Sequence, residues 1–376
     1  MQKKMLDRMF CKILVGTLLT LCIGVTGSTC LAEGFQNKEY GFWKTIGKMA
    51  ALNAIKEIGP KKNFKKDFIA LSNAGYAEIN GRTTQATLDG LSDELNVSRG
   101  NFSLVEVHSN SFAPLWFAVY HKPTGICVYL EVAPEAVTDL IELNPQSKGK
   151  LFSAVTKTVI TAEKIYENPS ESAAIFDNLI FNGNEFRIVT IVNGILAGAP
   201  PYAVRSMELH DHYCPGVMSG IFLAQYLKKE FPLSQGGSYF VQSVQPWCKE
   251  DALISILNAT PGKKSYHLYY PTEEDKSRWI DGAKDAANII YRNDPINNTW
   301  DGIVVGIQFG ETGCPSYNHT LLDKLCSDLY YLKHLNTPQE YISVIKSFTL
   351  PSDITPQSYA RPGVDPMEQL GLVTTK

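Results

Sequence analysis

Two imidazoles and a thiol crowd into five consecutive positions of this chain: His210, His212 and Cys214. Side chains at i, i+2 and i+4 of an extended backbone point to one side. An extended run here would therefore aim all three at a common point. Pro215 and Gly216 end that run, and 217–229 reads as a helix. Proline favours the first helical position, which makes Cys214 the residue capping the helix. A thiol there faces unsatisfied N–H groups and the positive helix end, so its pKa is expected to fall. A second thiol, Cys248, stands just before another helical stretch, 249–257. Thiolate with imidazole is a donor set that suits zinc, nickel, copper or iron. We expect one transition-metal site at His210, His212, Cys214 and Cys248, with zinc first and nickel or iron as alternatives. One imidazole can instead stand behind another ligand, which leaves a position for water or substrate. Asp251 either supports its own helix or serves the site from the second layer. The bland alternatives are a plain Cys214–Cys248 disulfide and a metal-free reactive thiol. Tyr213 and Trp247 flank the cysteines and are either pocket walls or ordinary core.

The elements that must position these residues follow from apolar periodicity and turn residues. Helices are expected over 46–58 and 87–95, and strands over 68–71 and 104–108. A hairpin is expected at 115–120 and 126–132 around the Pro123-Thr124-Gly125 turn. A connecting region, 135–200, reads as helices at 134–143, 151–166 and 173–179 and a strand at 186–192. After the motif come a strand at 239–244, the helix 249–257 and a strand at 266–270. The Pro-rich tail from 338 carries one expected helix, 339–347, and should run over the surface.

This order occurs twice. At a fixed offset, Asp89, Leu91, Leu95, Asn96, Gly100 and Ser103 meet Asp251, Leu253, Leu257, Asn258, Gly262 and Ser265, six identities without a gap. Upstream, Gly47 answers Gly216, and downstream Gly125-Ile126 answers Gly302-Ile303. We read an internal duplication. The first copy has Gly41, Trp43 and Thr45 where the second has His210, His212 and Cys214, and Ala86 where the second has Cys248. The ligands thus belong to the second copy alone. The run Asn258 to Lys264 reads as a helix stop that needs a left-handed backbone, since it lacks the spacing of a phosphate loop.

His-x-His-x-Cys-Pro-Gly followed by Gly220 resembles the signature of the FmdE family, named for formylmethanofuran dehydrogenase. Cys248-Lys249-Glu250-Asp251-Ala252 and Thr260-Pro261-Gly262-Lys263 resemble its second block, a Cys-x-x-Asp-Ala helix start and a Thr-x-Gly-Lys turn. The likeness spans roughly 205–275. Asp211 replaces the family's usual Gly, Phe222 stands where Arg is common, and the C-terminal zinc-ribbon cysteines of some members have no counterpart. The resemblance implies an α+β fold with helices on one side of a mixed or antiparallel sheet. Members of the family are dimers, so a duplicated chain is expected to form a pseudo-dimer by itself. The divisions expected are a signal peptide at 1–32, a degenerate half at 33–134, a helical linker at 135–200, a metal-binding half at 201–335 and a tail at 336–376.

With 44% hydrophobic and 19% charged residues, the chain is an ordered globular protein. A net charge of -3 gives no reason to expect a nucleic-acid partner. Cys314, His319 and Cys326 form a second cluster, read as a local disulfide with a metal site as the alternative. Cys127, inside an apolar strand, is read as a small buried hydrophobe. The functions expected are an exported metal-binding protein, a metalloenzyme with an open coordination position, or a thiol redox protein using Cys214 and Cys248. The partner expected is a metal ion or a small metal-bound ligand. Lys3, Lys4, Arg8 and Lys12 precede an apolar run, Ile13 to Gly27, and Cys30-Leu31-Ala32 offers small residues for cleavage. That run is short for a membrane span, so export to a periplasm, with no stable span after cleavage, is expected. N-terminal sequencing of the mature protein should read from Glu33; a chain that still begins at Met1 contradicts this.

Overall fold

The computed structural model describes residues 38–59, 67–138 and 150–374. The expected signal peptide and the distal part of the expected helix 134–143 lie outside them. The architecture is α+β, with two five-stranded sheets. Helix α1 (38–58) leads into β1 (Phe68–Ser72), α2 (Thr87–Leu95), β2 (Leu104–Glu106), β3 (Trp116–His121), β4 (Ile126–Val132) and β5 (Phe152–Val159). These strands form the first sheet in the order β2-β1-β3-β4-β5. Helices α3 (Glu185–Leu196) and α4 (Pro201–His210) follow. Then come α5 (Pro215–Glu230), β6 (Tyr239–Ser243), α6 (Lys249–Leu257), β7 (Tyr266–Leu268), β8 (Ala286–Asp294), β9 (Thr299–Ile307), α7 (Thr320–Leu332) and β10 (Ile342–Thr349). The second sheet runs β7-β6-β8-β9-β10. Each sheet has one parallel pair, β1 with β2 and β6 with β7, and is otherwise antiparallel. Among the described residues, no helix is long and apolar enough to cross a membrane.

The two sheets have the same strand order, and the helix–turn–strand units at 87–106 and 249–268 match in detail. Asn96 and Asn258 both end their helices in the left-handed conformation, at φ 54° and 57°. Ser103 N–H donates to the Ser98 carbonyl as Ser265 N–H does to that of Thr260. Ala70 lies opposite Leu104 in the same parallel register as Val241 opposite Tyr266. Two of the expected pairings shift. A Cβ on Gly47 would lie 2.0 Å from the Thr87 carbonyl oxygen, and one on Gly220 would lie 2.3 Å from that of Lys249. Gly47 therefore faces the second half's Gly220, not Gly216. One helical turn separates the two glycines, which a fixed sequence offset cannot resolve. Gly125 sits in a turn at φ +69°, whereas Gly302 pairs with Tyr291 inside β9, so these two are not equivalent.

Three regions differ from expectation in secondary structure. Residues 152–159 and 342–349 are edge strands, not parts of helices, and both are mostly half-buried or exposed after their first residue. Their β-branched residues, such as Val155, Thr156, Thr158 and Val159, suit a pleated, half-exposed edge. Conversely, 186–192 lies within α3. Ile188 to Gly194 are all buried, so burial on every side hides the helical period. The Glu185 side chain accepts the Phe181 and Gly183 N–H groups just ahead of this helix (2.5 and 3.2 Å).

A central apolar layer joins the sheets. Ile69 and Leu71 of β1, Val241 of β6, Val192 of α3, Met207 of α4, Phe222 of α5 and Leu325 of α7 share it. Helices α1 and α2 cover the outer face of the first sheet through Trp43, Ala50, Leu91 and Leu95. The tail covers the outer face of the second sheet through Met367, Leu370 and Leu372. The edge strand β2 also touches the chain leading to the motif: His108 N–H donates to the Glu208 carbonyl (2.9 Å), and Arg99 bridges Glu106 (2.9 Å) and Glu208 (3.2 Å). Because backbone lies where a Cβ would go, Gly47→Ala and Gly220→Ala should each cost about 1–3 kcal/mol, the usual range for overpacking. Gly262→Ala has nothing within 4 Å of its new Cβ and should be near neutral. Urea midpoints check this, and equal midpoints for all three variants contradict the packing.

Candidate metal centre

The motif is a hinge between two helices. His210 is the last residue of α4, and Asp211 turns the chain with φ 68° and ψ -8°. Cys214 is extended and caps α5, with Pro215 in the first helical position, as expected. The expectation of an extended run over 210–214 fails at Asp211, whose left-handed backbone closes α4. That conformation is disfavoured for a residue with a Cβ and is tolerated by Asp better than by most. Here the Asp211 carboxylate accepts His212 Nδ1 (2.6 Å) and the Arg187 guanidinium (2.9 Å). Burial pushes its pKa up, but these two partners outweigh burial and hold it below the usual carboxylate value.

Cys248 reaches Cys214 because of a glycine. A Cβ on Gly216 would lie 2.7 Å from the Cys248 Cβ and 3.1 Å from its Sγ. The outcome is a cluster in which donor atoms of His210, Cys214 and Cys248 all lie within 4.8 Å of one another. Ligands of a tetrahedral zinc stand about 3–4 Å apart, given bonds of about 2.0–2.3 Å, so a small contraction would bring these three donors to bonding distance of one ion. His210 Nε2 is buried and has no hydrogen-bond partner, which is the state of a nitrogen held ready for a metal. Its Nδ1 lies 2.6 Å from Asp251 Oδ2. A carboxylate in that place fixes the tautomer and aims the ring. His212 is not in the cluster. Its ring packs 4.4 Å from that of His210, and its Nδ1 is taken by Asp211.

Protonation follows from these contacts. Burial lowers the His210 pKa, but the hydrogen bond with Asp251 and the nearby Cys248 sulfur outweigh it and raise the imidazole to about 9. The neighbouring Cys248 sulfur and burial push the Cys214 thiol up, while Cys214 and His210 pull that of Cys248 down. The thiol shifted downward is thus Cys248, not Cys214 as its helix-capping position suggested. The neighbouring sulfur and burial outweigh the backbone N–H of Val217 at Cys214. A metal that binds here displaces these protons.

The remaining sequence candidates fall outside the cluster. Cys314 and Cys326 form a disulfide, with His319 at the start of α7 between them. Cys127 is fully buried, and burial raises its thiol pKa. Tyr213 is core, its hydroxyl donating to the Asp328 carbonyl (3.2 Å), while Trp247 is more than half exposed beside the site. The turn after α6 is a helix stop, with left-handed Asn258 and the Thr260 hydroxyl accepting the Lys263 N–H. Sequence reading missed Glu250. Its buried carboxylate accepts from Ser243 (2.6 Å), Tyr266 and Asn288 (3.4 Å) and pairs with Lys249. This network grips the first turn of the helix that carries Cys248. The available signal was Lys249-Glu250 opening an otherwise apolar helix where the first half has Thr87-Leu88. Asp251→Asn should weaken zinc binding by about 10–100-fold, typical for loss of a carboxylate behind a histidine ligand. Competition with a zinc chelator measures this, and unchanged affinity would remove Asp251 from the site.

Residues 209–317 match the family described as FmdE, Molybdenum formylmethanofuran dehydrogenase operon. No curated protein matches the chain. The match takes in the hinge, Cys248, Asp251 and the hairpin β8–β9, and it ends before His319 and Cys326. Residues 209–317, within the second half of the chain, are thus similar to the FmdE family.

Proposed function

We propose that this is an exported transition-metal-binding protein whose metal is held by His210 Nε2, Cys214 Sγ and Cys248 Sγ, with zinc the best match to the donors. The observation that carries the reading is the buried, unpartnered His210 Nε2 within 4.8 Å of two thiols that belong to separate helices. His212, beside His210, is the candidate for the fourth position after release from Asp211. In this reading Asp251 orients His210, and Glu250 holds the helix start under Cys248. The two halves descend from a duplication in which only the second keeps the ligands. The common strand order and the matched helix stops at Asn96 and Asn258 support that history. One chain thereby supplies both halves of a pseudo-dimer. Export rests on the basic and apolar pattern of residues 1–32.

A second reading, a metalloenzyme, is favoured by the ligand count. Three protein donors leave a position for water, as catalytic zinc sites do, whereas structural sites close with four. Such a site lowers the pKa of bound water, and Asp251 or His212 is placed to handle its proton. The thiol redox reading rests on the proximity of Cys214 and Cys248 alone and leaves the His210–Asp251 pair unused.

Elemental analysis of purified protein should find one metal ion per chain. Cys214→Ser and Cys248→Ser should each abolish tight binding. Cys314→Ser, Thr45→Val and Ala86→Ser should keep the stoichiometry at one. Two metals per chain, or loss of metal on the Cys314 change, places the site elsewhere. X-ray absorption then decides between the readings: three protein donors plus one light atom supports the enzyme, and four protein donors supports binding.

A further inference from the structure

A cleft of about 750 Å³ opens between the two halves, bounded by the first half's loop 107–114 on one side and by His210 and Asp251 on the other. This volume lies in the range of pockets that enclose small molecules. Its charged walls are unbalanced. Glu131, Asp211 and Asp251 supply three carboxylates against the single guanidinium of Arg187; the imidazoles of His108 and His210 also line the space. Arg187 is already engaged, with Asp211 at 2.9 Å and Asn184 Oδ1 at 3.3 Å. Asp251 is engaged with His210. Glu131 differs. It accepts from the Tyr129 hydroxyl (2.8 Å), Asn182 Nδ2 (3.2 Å) and the Ser153 hydroxyl (3.5 Å), all neutral donors. Among the described residues, no lysine or arginine pairs with it. Its wall belongs to the half that has none of the metal ligands.

We propose that this cleft is a binding site for a small organic cation, whose ammonium group is held by Glu131 while its other end lies beside the His210–Asp251 pair. The inference rests on the metal reading only for the identity of that neighbour. A carboxylate whose present partners are all neutral keeps its charge uncompensated, and it is a charge-assisted acceptor for the N–H donors of an ammonium. With Arg187 engaged by Asp211 and the His210 imidazole by Asp251, Glu131 is the lining carboxylate left with neutral partners only, and it disfavours phosphates and carboxylates through like-charge repulsion. The ligand-free first half thereby acquires a role: it supplies the anchoring wall for a molecule presented to the metal centre of the second.

Isothermal titration of the zinc-loaded full chain tests this with four matched probes: 1,4-diaminobutane, 4-amino-1-butanol, 1,4-butanediol and succinate. The expected order is diamine, then amino alcohol, with no heat from the diol or the dicarboxylate. Glu131→Gln should weaken the diamine by about tenfold or more, in line with loss of a hydrogen bond to a charged group, with the zinc count unchanged. Equal binding of diol and diamine, binding of succinate, or full affinity in Glu131→Gln overturns the proposal. Glu135→Gln, on the short helix after β4 and away from the cleft lining, serves as the charge control and should bind like the parent protein. If the protein takes up no zinc, the metal reading fails, and the same titration of the metal-free chain still decides the cleft.

Discussion

The approach of α5 to α6 is the constraint on which the site depends. Gly216 and Gly220 leave no side chain between these helices, so the Lys249 carbonyl and the Cys248 side chain occupy the space where Cβ atoms would be. Dense packing permits this only where both residues lack a side chain. Once the helices are that close, Cys248 at the head of one stands beside Cys214 at the head of the other, and His210 enters from the end of a third helix. The first half builds the same crossing from Gly47 and Gly90, which bring α1 against α2. It thus has the same glycine-mediated helix crossing with none of the clustered His and Cys residues on it.

Around the cluster, the Nδ1 of each imidazole is tied to a carboxylate. Asp251 takes His210 and Asp211 takes His212. The Asp211 carboxylate does two things at once: it anchors His212, and with Arg187 it stabilises a left-handed residue where a glycine would need no such support. Arg187 comes from α3, so the hinge geometry is held by a helix outside the family match. Beneath Cys248, Glu250 and Lys249 form a buried pair that is satisfied on both sides. A buried pair of this kind is a weak source of net stability, but removing one partner leaves an uncompensated charge. Its role is geometric, holding the first turn of α6 in one place.

The first half contributes in a way that its missing ligands conceal. Strand β2 docks on the end of α4 through the Glu208 carbonyl and the Arg99 bridge, just ahead of His210. The loop after β2 then walls the cleft beside the His210–Cys214–Cys248 cluster. The half without the His/Cys/Cys cluster supports and lines the half that has it.

The sequence by itself determined the local features. Helices 87–95 and 249–257, the αL stops at Asn96 and Asn258, the capping position of Cys214 and the Cys314–Cys326 bridge all depend on residues near one another in the chain. The two cysteine blocks were also legible as partners, through motif resemblance. Tertiary structure decided the rest. Residues 152–159 and 342–349 became strands because each sheet had an open edge, and the helix over 186–192 was hidden because Ile188 to Gly194 are buried without a break, where no period shows. It decided that the motif is a helix hinge, because a single φ angle at Asp211 depends on Arg187 across the fold. It shifted the Cys214 thiol up and the Cys248 thiol down, because the two sulfurs respond to each other, to burial and to His210, none of which is written in the local sequence.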